Sequence, residues 1–558
     1  MKLEKFNERP YQSEKEEALD YIRTLMEQAR RDSKLEDIPK LEKLLELIDS
    51  KRYGLVWEEH AELVEEEMKT KIPYFIEDSQ RKIIGNPNSS EFNFLLEGDN
   101  LHSLHLLEKT HSEKIDIIYI DPPYNTGKND FVYNDKIVDK NDEYAHSKWL
   151  SFMSKRLIIA KNLLSDSGVI FISIDNNEQA QLRLLCDEIF GKNNFIAQMA
   201  WEKKKKPSFL NKNLGSKFEY ILSYSKNRNC SMPFSVDQTE EGKKYPLNNA
   251  GNSPTELHFP SNSVHFSIPD GLVKAQDMSK GNIITELLND VYIKNGKNQN
   301  SFTLYGEWRY SQAKLDEIVL NNEKLSISKI PFRPNHHKKG GEIKKMHDLL
   351  TQNYFEVGTN EDASSELVSL VGNNVFSFPK PSKLISFLLK ATTYNNKNCT
   401  ILDFFAGSGT TGHAVVRLNK EDDGNRKYIL CTNNENNICE EVTYKRLSNL
   451  QQNLPHNLKY FKTKFIKKDD EELEYALLNN VKTLIELEHA IDLEESDKAV
   501  AFSLSEIREL DLSGVKTVYV RQHSHALMDK EDKLRYENIE LIDVPEYYFA
   551  SEMREAGL

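Results

Sequence analysis

Ile115-Asp116-Ile117-Ile118-Tyr119-Ile120 is an apolar run of strand length, and Asp121-Pro122-Pro123-Tyr124 cuts it off. A short continuous apolar run closed by a proline turn reads as a buried strand. Downstream, residues 147–164 carry Trp149, Phe152, Leu157, Ala160 and Leu164 in a helical pattern. Gly168 then ends a turn, and 169–174 (VIFISI) is a second buried strand. Residues 176–190 read as an amphipathic helix and 220–224 (YILSY) as a further strand. Strand alternating with helix predicts a doubly wound, Rossmann-like α/β sheet.

Residues 227–370 lose this rhythm. They are rich in Asn, Ser, Gly and Lys and show no clean periodicity, so an irregular inserted domain is expected. The α/β pattern returns at 400–404, with a glycine loop, a helix to about 418 and a strand at 428–431. From about 461 a third unit begins. An acidic run at 469–474 leads into a helix to about 490, followed by short strands near 499–503 and 515–520. At the other end, Ala18, Ile22, Leu25 and Ala29, then Leu41, Leu44, Leu45 and Ile48, fall on single helix faces. They predict a helical hairpin that packs on the main domain or on a partner.

With 558 residues the chain is long enough for two to four domains. Hydrophobic residues at 38% and charged residues at 29% exclude a disordered or fibrous chain. No stretch of about 18 apolar residues is present, so no membrane span is expected. The opening MKLEKFNERP is charged and lacks an apolar signal core. The five cysteines, Cys186, Cys230, Cys399, Cys431 and Cys439, are odd in number and form no CxxC. That argues against a disulfide framework or zinc knuckle and for a reducing cytoplasm. His336-His337 sits in a Lys-rich stretch and reads as meeting phosphate or solvent, so no metal is expected.

The Asp121–Tyr124 motif follows its strand directly, and open α/β sheets bind ligands at the carboxyl ends of strands. The Asp121 carboxylate and an unpaired Pro122 carbonyl can both accept hydrogen bonds from an exocyclic amine. Pro123 has no N–H to satisfy that carbonyl locally. The Tyr124 ring can stack on a flat base. The bland alternative is a rigid turn with a capping Asp. A second motif, Leu402-Asp403-Phe404-Phe405-Ala406-Gly407-Ser408-Gly409-Thr410-Thr411-Gly412, has the strand–glycine–helix form that brings backbone close to a ligand. Gly407, Gly409 and Gly412 spell GxGxxG, so an NAD-dependent oxidoreductase has to be weighed. No GK[ST] follows, which excludes a P-loop. Glu435, beyond the next strand, could hold ribose hydroxyls.

IDPPYNTG together with DFFAGSGTTG resembles the amino-group DNA methyltransferases that use S-adenosylmethionine. The catalytic motif precedes the cofactor motif by about 280 residues, an order similar to the β class, with a target-recognition domain between the halves. Gly98-Asp99-Asn100 is similar to the family's element near the cofactor adenine. Phe378-Pro379-Lys380-Pro381-Ser382-Lys383-Leu384 resembles the segment lining its methionine end. Asn125-Thr126-Gly127 through Phe131-Val132-Tyr133-Asn134-Asp135 is closer still to the modification subunits of Type III restriction–modification systems. The resemblance covers roughly 90–460.

It implies a division into a helical N-terminal region (1–75), a catalytic half (76–226), a target-recognition insert (227–370), a cofactor half (371–460) and a C-terminal α+β domain (461–558). It also implies methyl transfer to an amine of duplex DNA, with Asp121, Pro122 and Tyr124 at the reacting base. Adenine is the favoured target, although the amine of cytosine presents the same two hydrogens. Asp99, Lys380, Asp403, Phe405, Gly407, Gly409, Thr410 and Glu435 would bind S-adenosylmethionine. Modification subunits of this type act as homodimers and can join a restriction subunit carrying helicase and nuclease activity. A solitary methyltransferase and a catalytically idle recognition subunit are the alternatives.

The charge balance bears on the DNA. The chain carries 74 Lys and Arg against 88 Asp and Glu, a net of -14. Residues 201–350 alone carry 23 against 16, a net of +7, while the remainder holds 51 against 72. Lys203, Lys204, Lys205 and Lys206, with Lys338, Lys339, Lys344 and Lys345, are therefore the expected phosphate contacts.

Overall fold

The computed structural model describes residues 14–32, 34, 37–49, 57–127, 130–134, 136–138, 141–207, 213–372 and 376–557. Residues 1–10, Asp135 and the side chains of Ala18 and Ile48, all used above, lie outside the described residues.

The main sheet contains β1 (Lys71–Glu77), β2 (Asn93–Glu97), β3 (Ile115–Ile120), β4 (Leu164–Ile174), β5 (Phe195–Glu202), β6 (Phe218–Ser225), β7 (Leu349–Leu350), β8 (Thr400–Asp403), β9 (Lys427–Thr432) and β10 (Asn457–Lys467). Their spatial order is β1-β10-β2-β9-β8-β3-β4-β6-β5-β7, with Ile83–Ile84 paired to β10. The six strands from β10 to β4 in that order run parallel, and β1 and β6 run against their neighbours.

Helices cover both faces, which is why the inner strands are apolar throughout rather than alternating. Ile118 and Ile120 of β3 pack with residues of α3 (Asn100–His111) and α4 (Ala145–Leu163), among them Leu104, Trp149, Met153 and Leu157. Ile117 and Tyr119 enter the opposite core with α7 (Ser382–Thr393) and α8 (Thr410–Asp422). The expected doubly wound sheet is thus the observed one. The N-terminal stripes form α1 (Glu14–Arg31) and α2 (Ile38–Asp49), which pack on each other and bury Ile22 and Ala29.

The insert differs from its reading as irregular. It carries a seven-stranded and a four-stranded sheet with their own core, in which Phe259 stacks on Phe302 at 4.9 Å. Its strands are two to six residues long, too short for a periodic signal. Several turns between its elements use Asn at positive φ, as at Asn262, Asn295 and Asn322. The insert core ends near Phe332; β7 rejoins the main sheet, and Leu367 and Val371 of α6 (Asn360–Val371) pack on Val442. The expected limit at 370 therefore runs past elements that belong with the main sheet.

Two further differences concern the ends. β1 and β10 extend the main sheet across both the 75/76 and 460/461 limits, pairing Lys71 with Lys467 through Glu77 with Phe461. Beyond them, Lys498–Ala501, Thr517–Arg521 and Glu540–Val544 form a parallel three-stranded sheet, so the C-terminal unit is α/β in character rather than α+β.

Candidate active site

β3 and β8 lie side by side at the centre of the sheet, with Ile117 opposite Ile401 and Ile118 opposite Leu402. From β3 the chain turns to α4 on one face, and from β8 to α8 on the other. Their carboxyl ends therefore open a crevice at a topological switch point, where ligands bind in such sheets. Both motifs sit there.

The loop after β3 is tightly held. The Trp149 indole donates to the Pro123 carbonyl at 2.7 Å. Asn125, at φ 56°, donates through its amide to the buried Glu178 carboxylate at 2.6 Å. Among the described residues, no N–H or O–H donates to the Pro122 carbonyl. The acceptor expected from the prolines is thus present.

Asp121 is not alone. Lys380 Nζ lies 2.8 and 2.7 Å from its two oxygens, and the Tyr124 hydroxyl donates to Oδ1 at 2.9 Å. Glu219, on β6, stands behind them. Its Oε1 accepts from Lys203 Nζ at 2.9 Å, and its Oε2 lies 3.4 Å from the Tyr124 hydroxyl and 3.8 Å from Lys380 Nζ. Two carboxylates and two ammonium groups alternate, so the cluster is neutral as a whole. Burial works against the charge of Lys380, but Asp121 and Glu219 outweigh it and hold the ammonium protonated. Burial, followed by the Asp121 and Glu219 carboxylates, pushes the Tyr124 phenol far above its ordinary range, so it stays a donor. The ammonium also sits over the Tyr124 and Trp201 rings, at 5.0 and 5.8 Å from their centroids.

This corrects two expectations. The Lys380 ammonium is paired with the Asp121 carboxylate rather than standing free for a cofactor. Lys203 is held in the same cluster and is not presented to solvent as a phosphate contact. The residue that sequence reasoning missed is Glu219; a single Glu at a strand start carries no signal of its own.

The second loop has the form its glycines require. Gly407 and Gly409 adopt φ of 48° and 73°. A Cβ at Gly407 would lie 3.0 Å from the Phe376 ring, and one at Gly412 would lie 2.9 Å from Leu447. Phe405 is half-buried, with its ring 5.8 Å from that of Phe152.

Asp403 and Thr410 depart from their expected roles. The Asp403 carboxylate is buried, accepting from the Phe405 N–H at 3.0 Å and from the Thr411 hydroxyl. It staples the loop. Burial lifts its pKa to about 7 against those two hydrogen bonds. The buried Thr410 hydroxyl accepts from Arg446 at 2.8 Å, and Arg446 is also held by Glu366 at 2.9 Å.

On the flank, Asp99 caps α3 by accepting the Leu101 N–H at 2.7 Å and pairs with Arg156 at 3.4 Å. Asn100 ties this turn to the cofactor loop through the Phe404 carbonyl at 2.8 Å. Glu435 is exposed just beyond β9. A half-buried aromatic pair, a backbone turn that a Cβ would fill, and acidic side chains at two neighbouring strand ends suit a ligand with an aromatic ring, hydroxyls and a cationic end. S-adenosylmethionine has all three.

Most of the other expected DNA-contacting lysines are already engaged. Lys205 pairs with Asp362 at 2.7 Å and Lys344 with Asp237 at 2.7 Å, while Lys338 pairs with Glu342. Lys339 donates to the Asn321 carbonyl at 3.3 Å. Lys206 and Lys345 are exposed and Lys204 half-buried, and among the described residues none of the three has a charged partner. His336 is buried against Glu323 at 2.6 Å, and His337 meets Ser326 at 2.7 Å, so this pair is structural rather than set out for phosphate or solvent.

Two motifs converging on one crevice, with the insert between them in the chain, mark a known class. Residues 115–444 match the DNA methylase family model, and the chain belongs to that family. Among relatives, it is 34% identical over 394 residues to the StyLTI Mod subunit of a Type III restriction-modification enzyme from Salmonella typhimurium, covering 65% of this chain and 56% of that protein. It is 34% identical over 390 residues to the EcoPI Mod subunit from Escherichia phage P1, covering 62% and 58%. It is 31% identical over 375 residues to the Type II methyltransferase M.KpnI of Klebsiella pneumoniae, covering 64% and 85%. The chain thus spans a little over half the length of the Type III subunits it matches. Family membership sets aside the NAD-dependent alternative. Among the described residues, no helix is long and apolar enough to cross a membrane.

Proposed function

We propose that this chain methylates the exocyclic amine of adenine at a specific site in duplex DNA, using S-adenosylmethionine, as the modification subunit of a Type III restriction–modification system. One observation carries the reading. A half-buried carboxylate, Asp121, and a carbonyl with no donor among the described residues, Pro122, stand on adjacent residues beside the glycine loop of a DNA methylase.

The cofactor supplies an electrophilic methyl group on a sulfonium. The chain's own residues do the rest. An aromatic amine is a poor nucleophile because its lone pair is conjugated into the ring. The Asp121 carboxylate and the Pro122 carbonyl accept its two hydrogens, turn the lone pair out of the ring plane and stabilise the positive charge that develops on nitrogen. Tyr124 offers a ring face to the base, which must leave the duplex at a cost of a few kcal/mol. Phe405, Phe152 and the Gly407–Gly409 turn would hold the cofactor, with Asp99 near its adenine and Glu435 at its ribose hydroxyls. Holding amine and methyl group in line supplies much of the remaining acceleration.

The insert, with its net positive charge, reads the DNA sequence. A second copy of the chain and a separate restriction subunit with helicase and nuclease activity are the expected partners. Single-molecule sequencing of DNA from cells with and without the gene tests the whole reading. Adenine methylation at one motif supports it; methylated cytosine corrects the target, and an unmodified genome overturns it.

A further inference from the structure

We propose that Glu219 is a positioning residue that receives the Lys380 ammonium when the target base enters, so that Asp121 is released to the exocyclic amine. The inference rests on the methyl-transfer reading above and adds a step that precedes it.

In the resting site Asp121 is already occupied. A carboxylate has about four acceptor positions. Lys380 engages both oxygens, at 2.8 and 2.7 Å, and Tyr124 takes a further position at 2.9 Å. One position is left, next to an ammonium that spans both oxygens, so an incoming amine gains full use of the carboxylate only when the ammonium moves off. It cannot simply be expelled to water, because the Lys380 side chain is 7% exposed and lies over the Tyr124 and Trp201 rings. Leaving it buried without an anion would be strongly unfavourable.

Glu219 provides the second anion. Its Oε2 is 3.8 Å from Lys380 Nζ, and among the described residues the one hydrogen-bond donor to that oxygen is the Tyr124 hydroxyl, at a long 3.4 Å. Lys203 holds the other oxygen at 2.9 Å and so fixes the carboxylate in place. A shift of about 1 Å brings Nζ to normal hydrogen-bonding distance of Glu219. The wall behind does not have to move: the fully buried Trp201 is pinned by its indole N–H to the Gly358 carbonyl at 3.1 Å. Net charge is conserved throughout, since the ammonium passes from one carboxylate to the next.

The test uses the full chain, S-adenosylmethionine and a duplex carrying 2-aminopurine next to the target adenine, whose own amine stays in place. Glu219→Gln should raise KM for DNA at least tenfold and suppress the 2-aminopurine fluorescence that reports base entry, with cofactor affinity within twofold of wild type. Adding Lys380→Met removes the group that must move off, so the double variant should regain fluorescence over Glu219→Gln alone. A purely structural Glu219 would show no such recovery. Glu219→Gln with wild-type KM and fluorescence, or a double variant no better than the single, overturns the handover. If Glu219→Gln does not fold, Lys380→Met alone decides: its base-entry signal should exceed wild type, and an unchanged signal rejects the proposal. A wild-type protein that methylates no DNA would instead remove the underlying reading of function.

Discussion

Lys380 Nζ lies 2.7 Å from a carboxylate oxygen of Asp121 across 259 residues of chain. This ion pair ties the segment leading into α7 to the carboxyl end of β3. It also fixes the electrostatics of the site. Glu219 lies within 3.8 Å of the same ammonium, so the charge of Lys380 is shared between two carboxylates.

Asp121→Ala should abolish methylation, with at least a hundredfold loss of kcat, while cofactor affinity measured by calorimetry stays within a few-fold. The methyl side chain leaves the amine without the carboxylate acceptor. Stability should fall by less than the ~3–5 kcal/mol typical of breaking a buried pair, because Glu219 remains beside Lys380. Wild-type turnover by this variant would remove Asp121 from the reaction.

Phe405→Ala should act on the other side of the crevice. The ring packs against Phe152 and Phe404, at 5.8 and 5.3 Å, and is only half-buried, so its loss leaves the sheet intact. Cofactor affinity should weaken tenfold or more, with kcat at saturating cofactor much less affected. Unchanged calorimetric affinity would place the cofactor elsewhere.

The buried Asp403 gives a pH signature. Its folded-state pKa is raised to about 7 from an ordinary value of 3.8. Between those values the folded state holds a proton that the unfolded chain has released, so this group's contribution favours folding below about pH 4 and is lost as pH rises towards 7. Asp403→Asn removes the titration, keeps a carbonyl acceptor for the Phe405 N–H and turns its NH2 to the Thr411 hydroxyl, which can accept. Relative to wild type, the variant should therefore look better in urea unfolding at pH 8 than at pH 5. A difference independent of pH would show that Asp403 does not titrate in this range.

The same features explain what could be read beforehand. β3 and β8 were legible because strands covered on both faces are continuously apolar, and proline and glycine turns mark their ends. The edge strand β1 and its neighbour β10 were not, since Lys71, Lys464 and Lys467 break their apolar pattern. The insert hid its sheets in strands too short to show a period. In the site, Asp121, Pro122 and Tyr124 stand together on one turn and announce themselves. Lys380 was visible as a motif residue, but its partner was set by tertiary packing across the sheet. Glu219 has no motif at all, and only the pairing of β6 against β4 brings it to the crevice.

Salt dependence of DNA binding should separate the lysines that composition alone treats as equal. A lysine already paired with a carboxylate must break that contact before it can neutralise a phosphate, so it contributes little counterion release. Lys338 and Lys344 are in that position, with Glu342 and Asp237. Lys204 and Lys206 have no charged partner among the described residues. Each free lysine that meets a phosphate adds about 0.9 to the slope of log affinity against log salt. Lys204→Ala with Lys206→Ala should then lower that slope by up to about 2 and weaken specific and non-specific DNA alike, as phosphate contacts do. Lys338→Ala with Lys344→Ala should change it by well under 1. Titrations by fluorescence anisotropy at several salt concentrations would show it, and an equal effect of the two pairs would mean that the ion pairs open on contact with DNA.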